Sequence, residues 1–170
     1  MDMEHFDLVI IGGGPSGYAG AMRALDFGKK VLLIEKKRVG GAGVYNGVLT
    51  SKTLWEQALK AASIRDVIPD YEPKFEIFSK IVDEAVFERK TQMTVHLQLL
   101  QKQEKKLFFY EKGTAYIVDK NTIKITKEDG TVKTVETDNI LIATGSSPRK
   151  PGNILVDEKI IVTSDGFSNF

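Results

Sequence analysis

The segment Gly12-Gly13-Gly14-Pro15-Ser16-Gly17 constrains this chain more than any other. It follows the apolar, β-branched run 6–11, which suits a strand buried on both faces of a parallel sheet. It precedes Tyr18, Ala19, Ala21, Met22 and Leu25, which recur at helical spacing, and Gly28 stands where that helix should end. Val31, Leu32, Leu33 and Ile34 then read as a second buried strand, closing on the acid Glu35. Strand, glycine turn, helix and strand make a complete βαβ unit in about thirty residues.

Each glycine of the G-x-G-x-x-G pattern has a physical reason. Gly12 permits a tight strand-to-helix turn, Gly14 lets a pyrophosphate approach the backbone, and Gly17 brings helix and sheet close. The helix N-terminus offers unpaired N–H groups and a partial positive charge to phosphates. Glu35, placed after the second strand, can accept hydrogen bonds from ribose hydroxyls. It would repel a 2′-phosphate, so the motif favours FAD or NAD over NADP.

Beyond Glu35 the chain changes character. Residues 39–50 are glycine-rich and read as a loop running into a helix, with Ser51 as its cap and Leu54, Ala58 and Ala61 or Ala62 along it. Pro69 and Pro73 break that helix. Phe75, Phe78, Ile81, Val82, Ala85 and Val86 predict a long amphipathic helix to about residue 105, although the alternation of Val95, Leu97 and Leu99 near its end also suits a strand. Residues 107–110, 115–118, 122–125 and 131–135 alternate like strands, and Asp129-Gly130 is a hairpin turn, so a small antiparallel meander is expected. Residues 140–143 form one more apolar strand, which ends at Thr144-Gly145-Ser146-Ser147-Pro148.

At 170 residues the chain suits one domain. Its 24 basic and 23 acidic side chains nearly cancel, which supplies no electrostatic case for nucleic acid or an anionic membrane. Lys29-Lys30 and Lys36-Lys37-Arg38 read as solvated turns. The absence of cysteine excludes disulfides, thiolate metal sites and thiol nucleophiles within the chain. His5 and His96 lack the spacing of metal ligands, so structural or exposed roles are expected and no metal site. Met93 and Trp55 read as core, and no serine sits in a nucleophile-elbow sequence. Neither a secretory signal nor an apolar membrane span is evident, so a cytoplasmic protein is expected.

Over essentially its whole length the sequence resembles the N-terminal part of the flavin-dependent pyridine nucleotide–disulfide oxidoreductases, of the dihydrolipoamide dehydrogenase and soluble transhydrogenase type. The resemblance rests on Gly12 to Gly17, Glu35, Gly40-Gly41, Gly47, Ser51-Lys52 and Ala143-Thr144-Gly145-Ser146 in that order. It implies an α/β, Rossmann-like FAD-binding domain with a parallel sheet and a small antiparallel meander. It also implies cofactor contacts at Gly12, Gly14, Pro15, Ser16, Gly17, Glu35, Lys36, Gly41, Ala42, Lys52, Ala115, Ala143, Thr144 and Gly145. Glu35 would meet the adenosine ribose, the backbone near Ala115 the adenine, and Lys52 the flavin ring, where it is the candidate for tuning the flavin. No catalytic residue proper is identified.

One departure from the family carries chemical weight. Where the family reads Gly-Gly-Thr-Cys-x-Asn-x-Gly-Cys-x-Pro-Ser-Lys, Gly43 and Val48 replace the two redox cysteines. Disulfide reduction needs a sulfur that takes electrons from reduced flavin, and neither residue has one. Tyr45 could line the flavin pocket, but loop packing is the commoner use of such a tyrosine. Family members also continue into nicotinamide-binding and dimerisation domains, and no second G-x-G-x-x-G occurs here. Residues 1–170 therefore read as a truncated FAD-binding domain. NAD(P)H would act only through domains outside it, in a longer parent that is an FAD-dependent NAD(P)H oxidoreductase. Apolar surface left uncovered by such domains makes homo-oligomerisation compatible with this reading. Two alternatives stay open: a non-catalytic dinucleotide-binding or scaffold module, and a site for NAD or another adenine nucleotide.

Overall fold

The computed structural model describes residues 3–166. The first βαβ unit forms where the periodicity places it. Strand β1 (Glu4–Ile11) leads through the glycine turn into helix α1 (Pro15–Asp26), and β2 (Val31–Glu35) follows. Pro15 suits the first helical turn because the N–H it lacks would have no partner inside the helix. Gly28, at φ +69°, ends α1. Its N–H donates to the Leu25 carbonyl (2.8 Å) and the Lys29 N–H donates to the Ala24 carbonyl (3.1 Å), a Schellman arrangement. The chain continues through α2 (Gly41–Tyr45), α3 (Val48–Arg65) and α4 (Phe75–Gln101) to β3 (Phe108–Lys112), β4 (Thr114–Ile117), β5 (Thr122–Thr126) and β6 (Val132–Ile142).

All the strands belong to one six-stranded sheet of order β3-β2-β1-β6-β5-β4. The first four in that order run parallel, with Ile11 in register with both Ile34 and Ile142, while β5 and β4 are antiparallel additions. The two faces of the parallel part are covered differently. On one, Ile10, Val31, Leu33 and Phe108 pack with Ala21 of α1 and Leu97 of α4. On the other, Phe6, Val9, Leu32 and Ile34 pack with Ile123, Ile125 and Val135, so the antiparallel ribbon folds over the sheet where a doubly wound fold would place a helix. Phe6 and Val9 share this core despite their odd spacing, because Asp7 and Leu8 both donate to the Lys30 carbonyl (3.0 and 3.3 Å) and break the strict alternation between them.

Four sequence expectations need correction. Residues 107–110 are not part of the meander, because β3 pairs in parallel with β2. Alternation along a strand reports its faces and not the direction of its neighbour, and the long connection through α4 permits the parallel pairing. The stretches expected at 131–135 and 140–143 merge into a single strand, β6 (Val132–Ile142), which pairs with β5 through its first half and with β1 along most of its length. Ser51 does not cap α3. It lies within the helix and its hydroxyl donates back to the Gly47 carbonyl (2.8 Å), while Gly47 is the N-cap. Trp55 is not core, being 66% exposed. The ambiguous stretch 95–99 is helical, with Met93 and Leu97 buried and Val95 and Leu99 exposed, as four-residue spacing on one helix face requires.

The chain divides into two compact units. One holds the chain as far as Gly41 together with Met93–Ser146, and contains the sheet. The other holds Ala42–Gln92 and the chain from Ser147 onward.

Candidate dinucleotide site

The glycine turn lies at the C-terminal ends of the parallel strands, where open α/β sheets bind ligands. Gly12 has φ +110°, and a Cβ there would sit 2.2 Å from the Ala143 carbonyl oxygen. The turn therefore presses against the end of β6, where the Ala143 N–H donates to the Ile11 carbonyl (2.8 Å). A Cβ at Gly17 would sit 1.8 Å from the Gly12 carbonyl oxygen. Gly14 differs from both. Its backbone is extended, at φ −72° and ψ −175°, and a Cβ would meet no atom within 4 Å. Packing within the chain accounts for glycine at positions 12 and 17, and leaves position 14 to be explained by something that approaches from outside.

Glu35 is the second element of the site. Its side chain is held from two sides: the Gly13 N–H donates to Oε2 (2.7 Å) and the Lys37 N–H donates to Oε1 (2.7 Å). The residue is only 9% exposed. Each carboxylate oxygen accepts more than one hydrogen bond, so both keep capacity for a hydroxyl donor. The Tyr110 phenol is pushed above its ordinary pKa by burial and then by the Glu35 carboxylate. Gly13 was not singled out from the sequence, yet it is the residue that aims Glu35. A Cβ on Gly13 would stand 3.1 Å from that of Glu35. The uninterrupted glycine triplet was the available signal.

Other expected residues gather around the same turn. Gly40 donates to the Gly13 carbonyl (2.8 Å), and a Cβ on Gly41 would lie 3.2 Å from the Gly14 Cα, so this glycine pair closes over the turn. Ala143, Thr144 and Gly145 leave the end of β6, the last with φ +73°. Pro15, Ser16 and Lys36 are exposed. Ala115 is half-buried on β4 against the core around Phe6 and Ile125. Gly113, the single residue between β3 and β4, donates to the Glu35 carbonyl (3.0 Å) and ties the start of β4 to the end of β2.

Ala42 and Lys52 lie in the second unit. The Ala42 carbonyl accepts from the Asn46 N–H (3.1 Å), and Lys52 is exposed on α3. Gly43 and Val48 stand on α2 and at the start of α3. A groove of about 490 Å³ in this unit is lined by Asn46, Thr50, Leu54, Trp55, Ala58 and Ser164, among others. The histidines take structural partners in the sheet unit: His96 Nδ1 with the Tyr18 hydroxyl, and His5 with Asp138 (3.0 Å). Among the described residues no cluster of His, Asp and Glu could hold a metal ion, and no helix is long and apolar enough to cross a membrane.

A parallel sheet, a glycine turn opening a helix and a carboxylate at the end of the second strand define a Rossmann-type dinucleotide-binding domain. The chain belongs to the pyridine nucleotide-disulphide oxidoreductase family, which it matches over residues 6–165. It is 34% identical to the mitochondrial dihydrolipoyl dehydrogenase of Dictyostelium discoideum, across 96% of this chain and 34% of that protein. It is 32% identical to the soluble pyridine nucleotide transhydrogenase of Yersinia enterocolitica, across 95% of this chain and 35% of that protein. The chain thus spans about a third of the length of these curated relatives. The fold is that of LpdA from Mycobacterium tuberculosis, with a TM-score of 0.80 at 23% identity over 98% of this chain and 37% of the other. It also matches the HOCl-induced flavoprotein disulfide reductase RclA from Escherichia coli, at 0.71 and 20% over 88% and 31%. The family is FAD-dependent and its members are flavoprotein oxidoreductases. The open approach to Gly14 and the oriented Glu35 fit that cofactor.

Proposed function

We propose that residues 1–170 act as one FAD-binding domain of a longer flavin-dependent oxidoreductase. The observation that carries this reading is a pair of features at one turn: Gly14, with open space where a side chain would be, and Glu35, oriented by two backbone donors. In this reading the backbone of Gly12, Gly14, Pro15, Ser16 and Gly17 holds the pyrophosphate at the start of α1, where the helix presents free N–H groups and its positive end. Glu35 accepts from the adenosine ribose, with Lys36 beside it. Backbone near Ala115 meets the adenine. Gly41, Ala42, Ala143, Thr144 and Gly145 border the cofactor, and Lys52 lies near the flavin ring.

When bound, FAD supplies the hydride acceptor for chemistry between NAD(P)H and a final acceptor. NAD(P)H would bind through other domains of the parent. With Gly43 and Val48 in place of the sulfur pair, the final acceptor is not a disulfide reduced through this chain. A cytoplasmic location belongs to the same reading.

The test is the visible spectrum of purified protein before and after adding FAD, with flavin sought in the heat-denatured supernatant. Flavin bands that travel with the protein, and that Glu35→Ala weakens, are the expected result. A colourless protein that takes up no FAD even at high concentration would favour the non-catalytic scaffold, a reading that the missing cysteines already support.

A further inference from the structure

Strand β3 opens with Phe108 and Phe109 and then changes to Tyr110. Tyr110 is in register with Leu33 of β2 and packs on the same face, in the core that holds Leu33, Phe108 and Ala21. Glu35, two residues beyond Leu33, returns to that face by strand alternation. One strand spacing and two residues of rise put the Tyr110 and Glu35 backbones about 8 Å apart, a gap that the two side chains can span. The Tyr110 phenol does feel the Glu35 charge. Burial raises its pKa first, and the carboxylate raises it further.

Space filling does not account for the hydroxyl. Phe108 and Phe109 show that phenylalanine serves in this strand, and the Tyr110 ring would pack equally well without its oxygen. A half-buried phenol usually finds a hydrogen-bond partner. The Tyr110 hydroxyl has none among the described residues, and it is not sealed from water. Glu35 does not serve as one, although its two oxygens are already aimed by the Gly13 and Lys37 N–H groups (2.7 Å each). Lys112, in register with Glu35, gives its ammonium to Glu128 instead (2.7 Å). Carboxylate and phenol thus lie near one another, with bonding capacity left on both and no bond between them. A group that donates to the carboxylate and accepts from the phenol suits this arrangement, and a sugar hydroxyl does both.

We propose that Tyr110 is a second ribose-reading residue of this site, whose hydroxyl donates to a ribose hydroxyl that itself donates to Glu35. The proposal rests on the reading of Glu35 as the ribose acceptor. The ligand class it defines is a nucleotide with both hydroxyls of that ribose free. The raised pKa keeps the phenol protonated, and so a donor, at neutral pH. A site that bonds one ligand hydroxyl from two sides rejects an analogue lacking it, because two polar groups are then left unpaired.

The experiment measures binding of ADP, 2′-deoxy-ADP and 3′-deoxy-ADP to the full chain and to its Tyr110→Phe and Glu35→Gln variants by calorimetry. The unmodified chain should prefer ADP to one of the deoxy analogues by at least about tenfold. Tyr110→Phe keeps the ring and its packing. It should weaken ADP about tenfold and leave that analogue nearly unchanged, so that the preference shrinks. A merely structural role would lower all three affinities together and overturn the proposal. An ADP preference that survives Tyr110→Phe but is lost in Glu35→Gln would also overturn it, while leaving the Glu35 reading intact. No uptake of ADP by the unmodified chain would overturn the Glu35 reading itself, and this proposal with it. Phenolate absorbance adds a readout that needs no ligand. The titration missing from Tyr110→Phe belongs to Tyr110, and Glu35→Gln should move it to lower pH. A titration that Glu35→Gln leaves in place would mean that the two side chains do not share a site, which again overturns the proposal.

Discussion

In the sheet unit Phe6, Val9, Leu32, Ile123 and Val135 are all fully buried, whereas in the helical unit Trp55, Val67 and Phe87 are 66%, 82% and 66% exposed. The contrast runs along a single helix. The last turns of α4 place Met93 and Leu97 in a core, while its first turns leave Phe75 and Ile77 half exposed. The first unit closes a core of its own on both faces of a sheet. The second carries apolar side chains in comparable supply and buries few of them, notably Val44 and Ala61. Amphipathic spacing records which face of a helix is to be covered, and a cover must be present for burial to follow. The residues of the sheet unit are thus accounted for by their neighbours, and those of the helical unit are not.

The sharpest test of this contrast lies in the glycine turn. Gly17→Ala should destabilise the sheet unit by about 4 kcal/mol or more, since its Cβ would fall inside the Gly12 carbonyl and neither partner can move without parting α1 from β1. Urea denaturation would measure it, and a near-neutral result would mean that the turn is looser than it looks. Next in size, Glu35→Ala leaves the buried Gly13 N–H without its acceptor and should cost about 2 kcal/mol even with no ligand present. Gly14→Ala, two positions from the first glycine, should change stability by no more than about 1 kcal/mol. If FAD binds here, the same substitution should weaken its uptake at least about tenfold, a shift of some 1.4 kcal/mol. Loss of stability comparable to that of Gly17→Ala would show that position 14 is glycine for packing after all.

Acid should loosen both units, for different reasons. Burial pushes the Glu111 carboxyl up, but Lys127 and Lys133 (3.0 and 3.2 Å) outweigh it and hold its pKa below the ordinary glutamate value. The Lys159, Ile160 and Ile161 N–H groups hold the Asp157 carboxyl low. A carboxylate whose folded pKa is depressed stabilises the fold above its unfolded pKa, and that contribution is lost as pH falls through the folded value. Amide protection factors, taken relative to the unfolded chain at the same pH, should therefore fall in both regions below the ordinary carboxylate range. Added salt should weaken only the Glu111 contribution, which depends on ion pairs more than on backbone donors. The smallest effect is expected at Trp55: Trp55→Ala should move the melting transition by the equivalent of about 0.5 kcal/mol or less, since this large ring is mostly in water. A larger loss would reveal a cover for the helical unit.

The opening βαβ unit and the glycine turn of the candidate site were legible in the sequence, because each element there answers to neighbours only a few residues away. The strand periodicity, the glycine triplet, Gly28 and Glu35 mark their places in the fold within about thirty residues. The helical nature of residues 95–99 needed burial to decide it, since Val95, Leu97 and Leu99 alternate as a strand would. Ser51 looked like a cap because capping residues and mid-helix serines share the same chemistry, and only the start of α3 one turn earlier separates them.

What the sequence by itself determined was the set of elements and the chemistry of the turn, through local spacing, conformational freedom and charge. What the tertiary structure alone decided was partnership. It set β3 beside β2 in parallel, joined two expected strands into β6, laid the antiparallel ribbon over the sheet and left Trp55 uncovered. It also turned Gly13 and Lys37 onto Glu35. Side-chain alternation is the same whichever way a neighbouring strand runs and whether or not a face finds a cover, so long-range packing had to settle these points.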